Sequence, residues 1–573
     1  MYIETVPNRN SPPAILLREG WREGNKTCKR TVANLSDWPQ EKIEIFRRLL
    51  RDEPLVSPQD LLATQKTLPH GHVEAMLLAI RQLGLDALIS AKHCRERDLV
   101  LAMIVERLLD PCSKLATTRQ WHSTTLAEEL RVSEATEDEL YQAMDWLLER
   151  QPRIEKKLAA RRLGEGSLVL YDVSSSYYEG RRCPLAQYGH DRDGKKGLPI
   201  IVYGLMTDRQ GCPIAVEVYA GNTGDPTTVV DQVNKLRERF GLSRVVLVGD
   251  RGMLTQPQID KLKAHPQMGW ITALTSVAIR GLLAEGSLQL SLLDEKNLVE
   301  IQSPEYPGER LMVCYNPLLA EERKRKREEL LASTEKALSR IVKQVERRKT
   351  KPLTATEIAL KVGKVLGHYK MGKHFAHQIE DGKLSWSRRV ETIEPEAKLD
   401  GVYVIRTSET AEPLSAADTV RGYKSLAQVE RAFRSLKSLD LLIRPIRHRT
   451  EERVPAHIFL CMLAYYVEWH LRRAWAPLLF ADEELPNERQ RRDPVLPASS
   501  SESAHAKKLT HRTADGLPVQ SYSTLISDLA SRARVTYSLK TDTSGPVFQQ
   551  VPPPTPLQQR AYELLNLLPV AGN

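Results

Sequence analysis

The sequence predicts an α/β protein whose central core is split by an insertion and preceded by a mainly helical region. Three observations support this fold class. Apolar runs typical of strands alternate with a helical pattern over residues 166–276. That pattern stops over residues 277–399 and returns over residues 400–480. Before residue 166 the apolar side chains follow mainly helical spacing.

The sequence of the N-terminal region, residues 1–165, predicts a short pair of extended segments followed by helices. Residues 14–17 and 31–35 are strand-like and flank a turn-rich segment, Glu23-Gly-Asn-Lys. From about residue 40 to residue 163 the apolar residues recur every three to four positions, as they do on one face of a helix.

The first part of the core contains two acids that each follow a strand-like run. Strand-like runs are found at residues 167–171, 199–207, 213–219 and 244–249, with a helix predicted between Pro226 and Gly241. Asp172 follows the first run and Asp250 follows the last. Because α/β folds often assemble sites at the ends of adjacent strands, we expect these two carboxylates to lie close together.

The aspartate pair indicates a divalent-cation site. Two neighbouring buried carboxylates repel each other, and each is costly to bury without a partner. Mg²⁺ prefers oxygen ligands and commonly takes one or two protein carboxylates. Taken alone, either Asp172 or Asp250 is better explained as the cap of a turn after a strand, and the pair together favours the metal site.

A third carboxylate, Glu430, lies on a helix predicted from Ser425 to Ser438. Ser425 and Gln428 match a capping box, and an apolar stripe runs along the helix. Glu430 lies beside that stripe, where a surface ion pair with Arg434 would be the simple explanation. The basic residues nearby instead favour binding to a phosphate backbone. They are Arg431, Arg434, Lys437, Arg444, Arg447 and Arg449, with His448 and a single acid, Asp440.

The composition sets the broader class. The formal net charge is +10, which favours a polyanionic partner. The seven cysteines include no Cys-x-x-Cys pair, so neither a disulfide framework nor a zinc ribbon is indicated. The sequence contains no apolar run of about 18 residues and no secretory signal at its start, so we expect no membrane partner and a cytoplasmic location.

Several spaced motifs resemble one protein family. They agree with it in order and lie at residues 170–180, 219–225, 248–253, 400–407, 423–437, 444–449 and 456–460, with a weaker likeness at 110–115. In these segments the chain resembles bacterial insertion-sequence transposases of the DDE type. The resemblance is to the cut-and-paste group with a Tyr–Arg–Glu–Lys signature.

This resemblance implies a ribonuclease-H-like mixed-sheet core with Asp172, Asp250 and Glu430 as catalytic metal ligands. The cofactor would be two Mg²⁺ ions, for which Mn²⁺ can substitute. Tyr423 and Lys437 would contact the backbone of the transposon end. The position of the signature arginine is Leu426 here, so that contact is unassigned.

The resemblance also implies further DNA contacts and a domain plan. Trp386, in the insertion, is a candidate for stacking on a flipped base, although a tryptophan is more often a core residue. Residues 1–165 would bind DNA ends, and residues 481–573 would form a polar linker and tail. The remaining predicted DNA-binding residues are Arg431, Arg434, Arg444 and Arg447.

The implied function is cleavage at insertion-sequence ends and strand transfer into target DNA. The expected partners are double-stranded DNA, both ends and target, and a second copy of the chain, at the nucleoid. Two alternatives are open. One is a related nuclease that cuts without joining, and the other is a non-catalytic DNA-binding protein derived from a transposase.

Overall fold

Strands and helices alternate along most of the chain. The structure is a computed structural model that describes residues 1–9, 11–53, 62–265, 267–438, 440–540 and 546–568. In these ranges the strands are β1 (Tyr2–Val6), β2 (Ala14–Glu23), β3 (Lys26–Asn34), β4 (Leu62–Pro69), β5 (Ser167–Tyr177), β6 (Ile200–Asp208), β7 (Pro213–Ala220), β8 (Val245–Val248), β9 (Met268–Ala273), β10 (Leu298–Ile301), β11 (Arg310–Tyr315), β12 (Phe375–Glu380), β13 (Lys383–Arg388), β14 (Val402–Thr407), β15 (Ala533–Leu539) and β16 (Phe548–Gln550).

The described α-helices alternate with these strands, singly or in groups, along the chain. They are α1 (Gln40–Leu49), α2 (Gly71–Gln82), α3 (Leu85–Ile89), α4 (Arg95–Leu109), α5 (Lys114–Gln120), α6 (Leu126–Glu129), α7 (Glu137–Arg162), α8 (Val229–Asn234), α9 (Gln256–Lys263), α10 (Ser276–Ala284), α11 (Pro317–Arg347), α12 (Ala355–Tyr369), α13 (Val390–Ala397), α14 (Ala416–Lys424), α15 (Leu426–Lys437), α16 (Arg453–Ala474), α17 (Leu485–Arg491), α18 (Glu502–Thr510), α19 (Tyr522–Ala530) and α20 (Pro556–Asn566).

The smaller of two compact units combines Met1–Leu68 with Ala533–Pro553, a segment near the C-terminus. The predicted extended pair is confirmed as the antiparallel hairpin β2–β3, to which β1 adds a third strand. A second sheet has the order β16-β15-β4. The sequence analysis missed β4 because its partner strand lies more than 460 residues further along the chain, where local periodicity carries no information.

The larger unit is built on an eight-stranded sheet of order β10-β11-β14-β9-β8-β5-β6-β7. β5, β6 and β7 are antiparallel neighbours, whereas β8 and β9 continue parallel to β5. Numbered in chain order, these five strands lie in the order 3-2-1-4-5. This is the strand arrangement of a ribonuclease-H-like fold, and it confirms the predicted mixed sheet.

The two faces of this sheet pack into separate cores. One face is covered by a small core that includes Val169, Tyr171 and Leu247. The other face meets a larger core formed with α15, α16 and the helices before residue 163. α16 is buried along most of its length and contacts α4, α7 and β7. The N-terminal helices are therefore part of the same core as the sheet.

The segment predicted as an insertion, 277–399, divides between the sheet and a separate core. β10 and β11 lengthen the main sheet by pairing with each other and with β14. The separate core is formed by α11, α12, α13 and the β12–β13 hairpin, which share their own apolar cluster. The insertion, in this structure, is residues 317–397. α11 is a long, highly charged helix.

The last segment contains more structure than the predicted linker and tail. α20 packs Leu557, Ala561 and Leu565 into the larger core. Thr555 and Gln558 form its capping box. In the described ranges, no helix is long and apolar enough to cross a membrane.

Candidate active site

The strand register brings Asp172 and Asp250 side by side. β5 and β8 are parallel neighbours in which Leu170 pairs with Val248. Each aspartate lies two residues further along, so the same register sets the two next to each other. Leu170 and Val248 both face the larger core, and strand residues two apart share a face. Asp172 therefore lies on the side of the sheet that α15 covers, and Asp250 lies close enough to raise the pKa of Asp172.

Asp172 lies in the middle of its strand, whereas the sequence predicted it at the end. β5 continues to Tyr177 because its polar second half still pairs with β6, with Asp172 opposite Leu205. The pKa of Asp172 is raised to about 7, mainly by burial and in addition by the carboxylates of Asp250 and Glu430. The N–H of Val173 opposes this by donating to Asp172 Oδ1 at 2.8 Å. The three acids thus lie within electrostatic range of one another.

Glu430 is presented by α15, which confirms the predicted helix. Its apolar stripe, Val429, Ala432, Phe433 and Leu436, is buried, and Glu430 is exposed beside it. The predicted capping box at Ser425 is wrong. Ser425 already has a helical backbone at the junction with α14, and its hydroxyl donates to the Arg421 carbonyl at 2.8 Å. Ser425 is the single residue between the two helices, so it is both the C-cap of α14 and the N-cap of α15.

Tyr423 lies near two of the acids, and Leu426 lies one turn further along. Burial raises the pKa of the Tyr423 phenol, and the nearby Asp250 and Glu430 also raise it, against a smaller opposite effect of Arg251. Leu426 is partly buried and packs against the larger core. The site therefore contains a phenol close to the acids, and an apolar side chain stands where the predicted signature would place an arginine.

Two of the cations predicted to contact DNA are bound inside the protein. Lys437 Nζ lies 3.0 Å from Asp193 Oδ1, and Arg444 forms an ion pair with the same carboxylate. The Asp193 side chain is 1% exposed. Burial lowers the pKa of Lys437, and the charge of Asp193 opposes that shift. Both cations connect α15 and the segment after it to the segment between β5 and β6.

The other predicted cations face solvent. Arg431 and Arg434 are exposed on α15. Arg447 is also exposed and lies 2.9 Å from Glu179. His448 differs from them because burial lowers its pKa to about 3, so it is neutral at physiological pH. The basic surface consists of arginines and does not include this histidine.

Trp386 lies in the core of the insertion. Its ring contacts Phe375, with ring centroids 5.8 Å apart and an angle of 67° between the planes. The side chain is partly buried against that core. This placement agrees with the structural interpretation of Trp386, and its role in base stacking stays a prediction.

Sequence reasoning missed Arg192, Asp193 and Asp225 as parts of the site. Arg192 forms an ion pair with Asp225 and lies close enough to Asp172 to lower the pKa of that carboxyl. The available signal was the dense run of charges at residues 190–196, directly between two strand-like runs. Their contacts depend on a loop folding back onto β5, which spacing alone does not reveal.

The donor chemistry of the three acids fits a hard divalent cation. Asp172 Oδ1 and Asp250 Oδ1 accept backbone N–H groups of Val173 and Met253, which leaves their second oxygens for a ligand. Neighbouring carboxylates whose charges repel are stabilised by a cation. In the part of the chain that the structure describes, no group of three potential ligands is already drawn together as a closed metal site.

A ribonuclease-H-like sheet that carries neighbouring acids on adjacent strands defines a class of metal-dependent enzymes that act on nucleic acids. Residues 165–467 match the family described as Transposase DDE domain, and the chain belongs to this family. Residues 3–57 match the N-terminal domain of IS1634 family transposases. The protein is an insertion-sequence DDE transposase, and DDE transposase domains depend on metal ions.

Two other comparisons add little. A solved synaptic complex of piggyBac transposase with hairpin DNA is similar at 12% identity and a TM-score of 0.25, over 77% of this chain and 88% of that chain. A likeness at this score carries no argument about the site. Among curated proteins, none matches the chain.

Proposed function

We propose that the enzyme cuts DNA at the ends of its insertion sequence and joins the freed 3′ ends to target DNA, with Asp172, Asp250 and Glu430 as the catalytic acids. The observation that carries this proposal is the proximity of the three carboxylates: next to burial, which is the main cause, the charges of Asp250 and Glu430 both raise the pKa of Asp172. The family membership of the chain supports the same reaction class.

The three carboxylates would hold two Mg²⁺ ions, for which Mn²⁺ can substitute. Bound there, the ions would activate the attacking oxygen and stabilise the leaving oxygen of the phosphodiester. Tyr423 would orient the scissile phosphate through its hydroxyl, because it lies beside Asp250 and Glu430. The exposed Arg431 and Arg434 would hold the DNA backbone in register.

Lys437 and Arg444 have a different task in this proposal. Both pair with the buried Asp193, so they position the catalytic helix against the loop between β5 and β6. Arg447 is exposed and would contact DNA directly.

The partners of the enzyme would be the two transposon ends, the target duplex and a second copy of the chain. Two ends must be brought together before joining, and a symmetric dimer offers one site to each end. Such a DNA-bound enzyme would act at the bacterial nucleoid in the cytoplasm.

The test uses a plasmid that carries the element with its flanking ends. Asp172→Asn, Asp250→Asn and Glu430→Gln should each reduce strand cleavage by at least about 10³-fold, because each removes a charge needed only when the metal and the transition state are bound. Binding to an end-containing duplex should stay within about threefold of wild type. Addition of EDTA should stop cleavage by the wild type.

Asp260→Asn is the matched control, because Asp260 is exposed on α9 and is not among the charges that shift the pKa of Asp172. It should cut and join like the wild type. Cleavage at full rate by a variant of one acid would remove that acid from the site. Cleavage without joined products would favour the nuclease alternative, and end binding without any cleavage by the wild type would favour the non-catalytic one.

A further inference from the structure

The segment that joins β5 to β6, residues 178–199, is called the basic loop below. Backbone hydrogen bonds fix it on both sides. The N–H of Glu179 donates to the Ile446 carbonyl at 2.9 Å, which ties the start of the loop to the segment after α15. The N–H of Gly221 donates to the Leu185 carbonyl at 2.9 Å, which ties its middle to the end of β7. The loop is thus held between the catalytic helix region and the sheet.

Two glycines allow the loop to approach the sheet closely. A Cβ added at Gly189 would lie 2.0 Å from the carbonyl oxygen of Gly221. A Cβ added at Gly221 would lie 2.1 Å from the carbonyl oxygen of Ile200. Real Cβ atoms do not approach a carbonyl oxygen so closely, so both positions depend on glycine for backbone to meet backbone.

A buried ion-pair network fixes the second half of the loop. Asp193 Oδ2 accepts the N–H of Tyr177 at 3.1 Å, and Asp193 Oδ1 pairs with the two cations Lys437 and Arg444. The preceding residue, Arg192, pairs with Asp225. Lys437 lies two helical turns from Glu430, about 10 Å along α15. The network therefore holds the loop next to the three acids.

The outer side of the loop is basic. Its acids are used internally, because Asp193 is buried in the network, Asp191 accepts a backbone N–H within the loop and Glu179 pairs with Arg447. Tyr188 is 72% exposed and presents a ring that can stack on a base. Four cations are exposed on the same loop: Arg181, Arg182, Lys195 and Lys196.

We propose that the basic loop binds the phosphodiester backbone of the duplex that enters the active site. The inference rests on the proposed function, since it assigns a further DNA contact to the same reaction. A loop that is already fixed loses little conformational entropy when it binds, so its four exposed cations act as a preformed surface. The ion pairs of Asp193 with Lys437 and Arg444 hold the loop beside the acids that act on DNA in the proposed function, which favours DNA over an acidic protein as the occupant.

The test is a titration of a fluorescein-labelled random-sequence duplex with the full chain, followed by anisotropy at several NaCl concentrations. The loop variant, in which glutamine replaces the four exposed cations of the basic loop, should bind the duplex at least about 10-fold more weakly than the wild type. The magnitude of the slope of log affinity against log salt should fall by about 2–4, near 0.9 for each phosphate contact removed. A variant with only the two arginine substitutions, or only the two lysine substitutions, should show about half of that decrease in slope. The loop variant replaces all four cations: Arg181→Gln, Arg182→Gln, Lys195→Gln and Lys196→Gln.

The control variant removes the same total charge from exposed lysines elsewhere on the chain. It should keep the wild-type slope to within about one unit. An affinity and slope of the loop variant equal to those of the control would overturn the inference while leaving the proposed function standing. No binding of the duplex by the wild type would overturn both. The control substitutions are Lys156→Gln, Lys157→Gln, Lys261→Gln and Lys296→Gln.

Discussion

Tyr423 and Leu426 lie one turn apart at the junction of α14 and α15 but face different surroundings. The Tyr423 phenol lies near Asp250 and Glu430, and burial raises its pKa, so the hydroxyl stays protonated and can donate a hydrogen bond. Leu426 packs against the larger core and offers no polar group. Of these two residues, only Tyr423 carries a polar group that could contact a phosphate.

Tyr423→Phe tests this difference directly. Removal of the hydroxyl deletes a donor to a charged phosphate, a contact of about 1.5–3 kcal/mol, so cleavage should slow by roughly 10–100-fold. Thermal stability should change little because the ring stays in place. Rates from single-turnover cleavage and a thermal melt check both points. Tyr369→Phe, in the insertion, is the control. A Tyr423→Phe enzyme as fast as this control would show that the hydroxyl does not touch the reacting phosphate.

At the scale of single elements, α15 was the most predictable part of the site. Its stripe of apolar residues specified both the helix and the side on which Glu430 lies, because helical periodicity is a local property. The position of Asp172 was less predictable. The polar residues 174–176 concealed the second half of β5, which is a strand because β6 pairs with it.

The contacts of the basic residues were beyond prediction from spacing. The sequence pattern predicted that Lys437 and Arg444 belong to a solvent-facing basic strip. In the structure, both bind a buried acid contributed by a loop more than 240 residues earlier in the chain. Sequence periodicity identifies which face of an element is polar but not which distant segment covers it. The same limit explains why β4 and its partner β15 went unrecognised as a pair.

Asp193→Asn should loosen the loop between β5 and β6. The substitution removes the charge that balances Lys437 and Arg444, and breaking a buried ion pair costs about 3 kcal/mol. We expect a lower melting temperature and faster tryptic cleavage at the exposed basic residues of the loop, identified by mass spectrometry. Asp231→Asn, at an exposed position, should leave both unchanged. A wild-type proteolysis pattern for Asp193→Asn would mean that Asp193 does not hold the loop.

At the scale of the whole molecule, helices from both ends of the larger unit pack on the central sheet. α2 near the start and α20 near the end contribute to one core with α16, so the segments outside the family match at residues 165–467 help to hold the catalytic fold. Truncation to the matched residues would expose that core.

This shared core also buries histidines in their neutral form. Burial lowers the pKa of His72 to about 4 and those of His448 and His470 to about 3, and the pKa of His457 lies well below its usual value. A histidine whose pKa is lowered by folding takes up its proton first in the unfolded chain. Its contribution to stability is therefore complete above about pH 6.5 and is lost progressively as the pH falls toward 3.

His470→Gln isolates one such contribution. His470 is buried against Tyr466 and Trp469, and each such histidine lowers the free energy of unfolding by up to about 1.4 kcal/mol per pH unit below 6.5. Between pH 7 and pH 5 the variant should lose less stability than the wild type, by roughly 1–2 kcal/mol or a few degrees in Tm. Acids with a raised pKa, such as Glu106, act in the opposite direction but are the same in both proteins. His377→Gln, at an exposed position, should reproduce the wild-type change. Equal losses for His470→Gln and wild type in melts at the two pH values would show that His470 is not a buried neutral group.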